Sequence, residues 1–307
     1  MQYQPPLMPK PEPHIGQHMT PEAFTQSVCA MASRMIAANA LPADFEGLHV
    51  IRPLEVKLGL FHLDLEPFYR TARENPDGIE QLLRKDLATL TDPTTHAILR
   101  APLDLVCERV MPRLRNFQDI QHHCLRRQFF YRPVANDAVL HFVVDTGESM
   151  VVIDADQAKR WGVSFDALED RSMANLRDLT ARHDGGTMDL IGPHFSFEES
   201  EGYSPEFIMG NIAYDDCYDA SRLLLPGLHA ALAPTFGQTF YAVIPTASTL
   251  AFFPLHITPP ALAMINGRSQ LLFDTDSTRI STHLFQVTAD GVAGTTAYLS
   301  EEWHDRL

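Results

Sequence analysis

The sequence predicts an α+β protein of mainly antiparallel sheets flanked by helices, and three observations predict it. Short runs of Val, Ile and Phe divided by tight polar turns recur along the chain, as at 139–145 and 150–153, the pattern of hairpin-linked strands. Helically spaced apolar residues lie in separate blocks before and after those runs, so hairpins outnumber crossover units. The chain has 307 residues, 45% hydrophobic and 21% charged, enough to bury a substantial core without metal or disulfide staples.

Residues 1–19 carry Pro5, Pro6, Pro9, Pro11 and Pro13 with few large apolar groups and read as a disordered arm, since they bury too little to offset ordering. The expected division beyond it is an N-terminal α+β unit at 20–115 and a C-terminal α+β unit at 116–307, packed as one body. Order starts at Thr20-Pro21-Glu22, where Thr20 caps a helix running to Asn39 and Pro21 sits in the first turn, which needs no N–H from it. Residues 49–55 and 57–63 alternate as a hairpin. A helix follows over 65–90 through Phe68, Ile79, Leu82, Leu83 and Leu87.

Strands are predicted at 129–133, 139–145 and 150–153, joined by the turns Ala135-Asn136-Asp137 and Thr146-Gly147-Glu148. A helix at 155–161 stops at Gly162, and Ser164 caps a longer one through Phe165, Leu168, Met173, Leu176 and Leu179. Further strands are expected at 187–191, around Phe207-Ile208-Met209, at 283–287 and at 295–299. Residues 219–233 read as an apolar helix, 239–244 with 249–253 as a hairpin, and 259–272 as another helix. The order helix, hairpin, helix thus occurs near both ends, an architectural repeat without matching sequence.

The formal net charge is −15, from 39 acidic and 24 basic residues, so the mean field repels phosphate backbones and anionic lipid. Neither nucleic acid nor membrane is an expected partner. Arg113, Arg115, Arg126, Arg127 and Arg132, beside Phe129, Phe130 and Tyr131, form the local exception, and surface arginines near strands are usually solvated or paired with carboxylates. Cys29, Cys107, Cys124 and Cys217 are widely spaced without a Cys-x-x-Cys pair, which suits reduced thiols in a cytoplasmic protein. No segment has the charged-then-apolar form of a signal peptide or the length of a membrane span.

Tyr214, Asp215, Asp216, Tyr218 and Asp219 form the densest acidic and aromatic cluster. Neighbouring carboxylates can hold a hard cation or divide acid and base roles, but here they precede an apolar segment, and helix capping by Asp216 or Asp219 is the favoured reading. His122-His123-Cys124 and the pair His14 and His18 lack the companion ligands a zinc site needs. Ser149, Asp145 and His141 are the right types for a hydrolase, yet His141 and Asp145 lie two repeats apart along one strand and no Gly-x-Ser-x-Gly elbow is present. Neither a Gly-x-Gly-x-x-Gly nor a P-loop pattern occurs. No catalytic residue, metal ligand or cofactor is therefore assigned.

The strand pair His141-Phe142-Val143-Val144-Asp145 and Met150-Val151-Val152-Ile153 is followed by Trp161-Gly162-Val163-Ser164 and by Asn175-Leu176. Then come Tyr218-Asp219-Ala220-Ser221, Leu223-Leu224-Leu225 and Tyr241-Ala242-Val243-Ile244-Pro245. In this order and spacing the chain resembles the YtpQ family of bacterial proteins over most of residues 45–290, with Cys217 where members tend to place glycine. The resemblance implies no reaction, substrate or cofactor. The expected function is a non-enzymatic, protein-binding or adaptor module that contacts a protein partner or itself. The alternative is a small-molecule sensor or enzyme built on the Asp145 turn and residues 218–222, with Asp145, Glu148, Tyr218, Asp219, Ser221 and Arg222 as ligand-binding candidates.

Overall fold

Helix starts and turns fall where local chemistry places them, and the larger deviations trace to glycine and proline. The computed structural model describes residues 19–39, 41, 45–74, 77–123, 129–147, 149–187, 189–199 and 208–295, so the arm expected at 1–19 lies, but for Met19, outside them. Contacts divide the chain into two units, residues 1–100 with 122–127 and residues 101–121 with 128–307. The division expected between 115 and 116 would cut a strand that pairs along its whole length with its neighbour.

In the first unit Thr20 Oγ1 accepts from the Ala23 N–H at 3.3 Å and opens α1 (Pro21–Ala38), whose buried side includes Phe24, Val28 and Met31. Three strands follow where two were expected: β1 (Leu48–Arg52), β2 (Glu55–Leu58) and β3 (Phe61–Asp64), antiparallel in that order. The run 57–63 is split at Gly59, whose φ of +55° makes a turn and where a Cβ would come within 2.5 Å of the Phe45 ring. The helix expected over 65–90 is likewise two, α2 (Glu66–Glu74) and α3 (Ile79–Leu90), with Gly78 at φ +84° before the second. α4 (Pro93–Arg100) closes the unit.

The second unit begins with α5 (Leu103–Val106), β4 (Val110–Asn116) and most of α6 (Phe117–His123), whose last two residues fall to the first unit. β5 (Tyr131–Ala135), β6 (Ala138–Asp145) and β7 (Met150–Val152) complete an antiparallel sheet in the order β4-β6-β5, with β7 also on β6. Nearly every residue of β6 is buried, which explains its unbroken apolar run: both faces are covered. β4 was not expected, because Pro112, Arg113 and Arg115 disguise it. Proline is tolerated there because β4 lies at the end of the strand order.

α7 (Ala155–Trp161) ends at Gly162, φ +65°, and Ser164 Oγ accepts from Ala167 N–H at 3.2 Å to start α8 (Phe165–His183). Residues 187–191 form no strand among those described. The chain instead enters β8 (Phe195–Glu199), which was not expected, and β9 (Ile208–Ile212). The helix expected over 219–233 is a 3-10 turn at Ala220–Leu224 followed by α9 (Leu228–Phe236). Pro226 holds Leu225 in extended backbone and Gly227 takes φ +93°, so the helix cannot run through.

β10 (Phe240–Val243), β11 (Leu250–Pro254), α10 (Pro259–Thr275), β12 (Phe285–Thr288) and β13 (Gly291–Gly294) finish the unit. They form a six-stranded antiparallel sheet, β13-β12-β10-β11-β9-β8. Of the strand expected at 295–299, Thr295 is not extended into the sheet and the rest lies outside the described residues. Met209, Val243, Ala251 and Phe253 pack one face of this sheet against Ala261, Leu262 and Ile265 of α10. Polar stitches tie β4 and the β5–β6 turn to the segment between α10 and β12: Asn116 Nδ2 donates to Ile280 O at 2.7 Å and Asn136 Nδ2 to Leu284 O at 2.9 Å. Helices and antiparallel sheets are thus combined as an α+β fold, and every strand pairing among the described residues is antiparallel.

Candidate functional site

The segment 214–222 is a sharp turn that draws its own carboxylates inward. Asp215 and Cys217 adopt φ of +55° and +65°, the left-handed region that glycine occupies most readily, so Cys217 takes a glycine-like conformation. That double turn reverses the chain and aims Asp216, Asp219 and Arg222 at one another. Asp219 accepts from the backbone N–H groups of Tyr214 at 2.9 Å and Asp215 at 3.3 Å. It makes no cap hydrogen bond to the 3-10 turn that follows, which corrects the expectation that it caps a helix. Its carboxylate holds the preceding turn.

Arg222 lies fully buried at the centre. Its guanidinium donates to Asp216 Oδ1 at 2.9 Å and Oδ2 at 2.6 Å, to Asp219 Oδ1 at 3.0 Å and to Thr180 Oγ1 at 3.0 Å. It also stacks over the Tyr214 ring with 3.9 Å to the centroid. Two carboxylates thus share one cation, and their acidities separate. Burial pushes the Asp219 carboxyl up to about 6. Burial acts on Asp216 in the same sense, but the hydrogen bonds and charge of Arg222 outweigh it and hold Asp216 below the usual carboxylate range.

Around this pair, Tyr214 donates to Asp184 Oδ2 at 2.8 Å and stacks on His194 at 4.4 Å, while His183 Nε2 lies 3.5 Å from Asp216 Oδ2. Tyr218 turns the other way and donates to Asp145 Oδ2 at 2.7 Å. Desolvation and those carboxylates raise both phenols far above their usual range. Of the sequence candidates, then, Asp145 meets Tyr218 and Asp219 meets Arg222. Ser221 serves a third purpose, accepting from the Leu114 N–H of β4 at 3.3 Å. Glu148 lies outside the described residues.

The Asp219–Arg222 pair at the centre of this network is chemically saturated rather than poised. Asp219 and Arg222 are wholly buried and spend their hydrogen-bonding groups on the chain itself. A general acid or nucleophile must reach a substrate atom, and neither side chain has a route to one. The hydrolase grouping fares no better: Ser149 Oγ lies 3.2 Å from Thr146 Oγ1, Asp145 is taken by Gly147 N–H and Tyr218, and His141 is buried against the Phe129 ring. The His14/His18 pair and the His122-His123-Cys124 side chains lie outside the described residues, among which no cluster of three metal-ligating side chains occurs. Among those residues, no helix is long and apolar enough to cross a membrane.

A concavity elsewhere in the same unit had no sequence signal. It is a cleft of about 370 Å³ between α10 and the sheet, lined by Met209, Asn211, Val243, Thr249, Ile265 and Arg268 among others. Its residues come from five separate stretches of chain, and small side chains rather than a motif create it. Comparison with models of protein families, with curated proteins and with solved structures finds no match to this chain.

Proposed function

We propose that this chain is a non-enzymatic binding module that takes up an extended segment of another protein along β1. The observation that carries the proposal is the exposure of that strand. Among the described residues β1 lies at the end of its sheet, and Val50 and Ile51 are 56% and 48% exposed. Proteins normally blunt such an edge or cover it, because it is a template for another strand. Strand addition uses backbone hydrogen bonds for affinity and alternate side chains for specificity. Val50 pairs with the buried Val56, so an apolar residue of an added strand would extend a row that already reaches the core.

Charge narrows the partner. A body at formal −15 repels a second copy and attracts a basic protein. The burial and mutual pairing of Asp219 and Arg222 support binding over catalysis. The likeness to the YtpQ family stands as part of this proposal and adds no reaction to it.

The test places a photo-crosslinking residue at His49 of the full chain, expressed in its own cells, with the same residue at exposed Arg70 as control. The expected result is a discrete adduct with one other protein from position 49, absent from position 70 and lost when Val50 is changed to Lys. No adduct, equal adducts from both positions, or an adduct only with a second copy of the chain would overturn the proposal.

A further inference from the structure

A single hydroxyl, that of Ser269, separates the cleft beside α10 from an ordinary packing gap. The cleft is independent of β1 because it lies within the other unit. Pairing places Val243 opposite Ala251 and Ala251 opposite Asn211, and alternation turns this row to the face that packs on α10. Along α10, Ala261, Leu262 and Ile265 fill the gap to the sheet, whereas the next turn presents Ser269. Ser269 and Ala251 are too small to fill it, and a cavity of about 370 Å³ remains. That volume falls in the range of about 300–1,000 Å³ typical of small-molecule sites and excludes a folded partner.

The wall is aliphatic, formed by Met209, Val243, Leu250, Ala251, Ile265 and Leu272, and the lining residues include no aromatic ring. Most of its polar groups are already occupied. Thr249 Oγ1 shares a hydrogen bond with Thr246 Oγ1 at 2.9 Å, and Asn211 and Arg268 have interactions of their own. Ser269 differs: it is only 4% exposed and lines the cleft, yet its hydroxyl has no hydrogen-bond partner among the described residues. A buried hydroxyl without a partner is unfavourable, and an oxygen on a bound molecule would satisfy it. Charge sets the remaining constraint. Register places Glu198 opposite Met209 on the same face as the cleft. An anion therefore finds no free cation and meets an acidic residue on that face, while a cation meets Arg268. A neutral molecule encounters neither penalty.

We infer that the cleft between α10 and the six-stranded sheet binds a small neutral aliphatic molecule, its body against Met209, Val243, Ala251 and Ile265 and its one polar oxygen hydrogen-bonded to Ser269 Oγ. A serine hydroxyl both donates and accepts, so alcohols and carbonyl compounds share this chemistry. Apolar area supplies the affinity, and the single hydroxyl fixes the orientation.

Hexanol, hexanoate, hexylammonium and hexyl chloride, each titrated into the full chain carrying ¹³C-methyl methionine, test it. The expected result is saturable binding of hexanol, with the Met209 and Met264 methyl signals shifting and those of Met31 and Met111, which are absent from the cleft lining, unmoved. Hexanoate and hexylammonium are expected to bind more weakly by about tenfold or more, since neither charge is compensated in the cleft. Ser269→Ala removes the hydroxyl, suits a helix and leaves the aliphatic wall in place. It is expected to weaken hexanol about fivefold, the loss of one neutral hydrogen bond, without changing hexyl chloride. Ser269→Leu fills the cavity and is expected to abolish binding of both. The inference is overturned if hexanol does not bind, if its shifts fall outside the cleft, if either ion binds as tightly, or if Ser269→Ala leaves hexanol unchanged. These outcomes leave crosslinking at His49 untouched, so the two proposals fail separately.

Discussion

At the scale of single residues, Arg222 decides what the 214–222 segment is. Breaking a buried pair by removing one partner typically costs about 3–5 kcal/mol, because the other charge is stranded. Here two acids surround one cation, so Asp219 is the member whose charge is in excess. Its folded carboxyl, raised to about 6, lies above the ordinary value of about 3.9. The folded chain therefore binds this proton more tightly than the unfolded chain, and the resulting stability is full below about pH 4 and lost as pH rises to about 6. Asp216, with its lowered value, has the opposite sign and acts at lower pH. Asparagine at 219 keeps an acceptor for the Tyr214 N–H and cannot ionise. Relative to wild type, Asp219→Asn should thus gain stability between pH 4 and 7, by on the order of 2 kcal/mol. Thermal melts of both proteins across that interval check it. A difference that stays flat, or moves in favour of wild type, would show that the ionised carboxylate is the stabilising form.

At the scale of elements, backbone conformation rather than side-chain pattern separates what was legible from what was not. β6 and β7 could be read because consecutive Val, Phe and Ile leave no other period. α1 and α8 could be read because Thr20 and Ser164 cap them. β4 was hidden by its proline and arginines, and the apparent helix at 219–233 by Leu223, Leu224 and Leu225, whose spacing says nothing of the break at Pro226-Gly227. The acidic cluster was visible as composition, but its inward folding depends on left-handed Asp215 and Cys217, which residue type does not announce. The cleft could not be read at all, since its residues meet only through sheet register. Two glycines give the backbone argument opposite signs. Gly227 has φ +93° and Gly267 lies within α10, and a Cβ at either would meet nothing within 4 Å. Gly227→Ala should cost about 1–2 kcal/mol through left-handed strain alone. Gly267→Ala should instead stabilise by about 0.5–1 kcal/mol by stiffening the unfolded chain. Chemical denaturation measures both, and equal effects at the two positions would refute the conformational explanation.

At the scale of the whole molecule, charge sets which large partners can approach. The formal charge of −15 is delocalised, so the question is whether a local cationic surface escapes it. Arg132 does not: it bonds to Asp166 and Glu169 across the Phe165 ring. Arg279 is held by Asp119 and Arg222 is buried. Arg113 is drawn out of solvent, and desolvation lowers its basicity. Of the other members of the basic cluster, Arg115 is half-buried in β4, and Arg126 and Arg127 lie outside the described residues. Affinity for nucleic acid comes chiefly from counterions released as cations meet phosphates, and a cation already facing its own carboxylate adds little to that release. We therefore expect weak binding of both DNA and RNA at a physiological salt of about 0.15 M. Titration of labelled duplex and single strands at low and moderate salt measures it. Submicromolar affinity that persists at moderate salt and vanishes when Arg126, Arg127 and Arg132 are changed to Ala would show that this segment presents its arginines to a partner. The acidic mean field would then be no guide to what this chain binds.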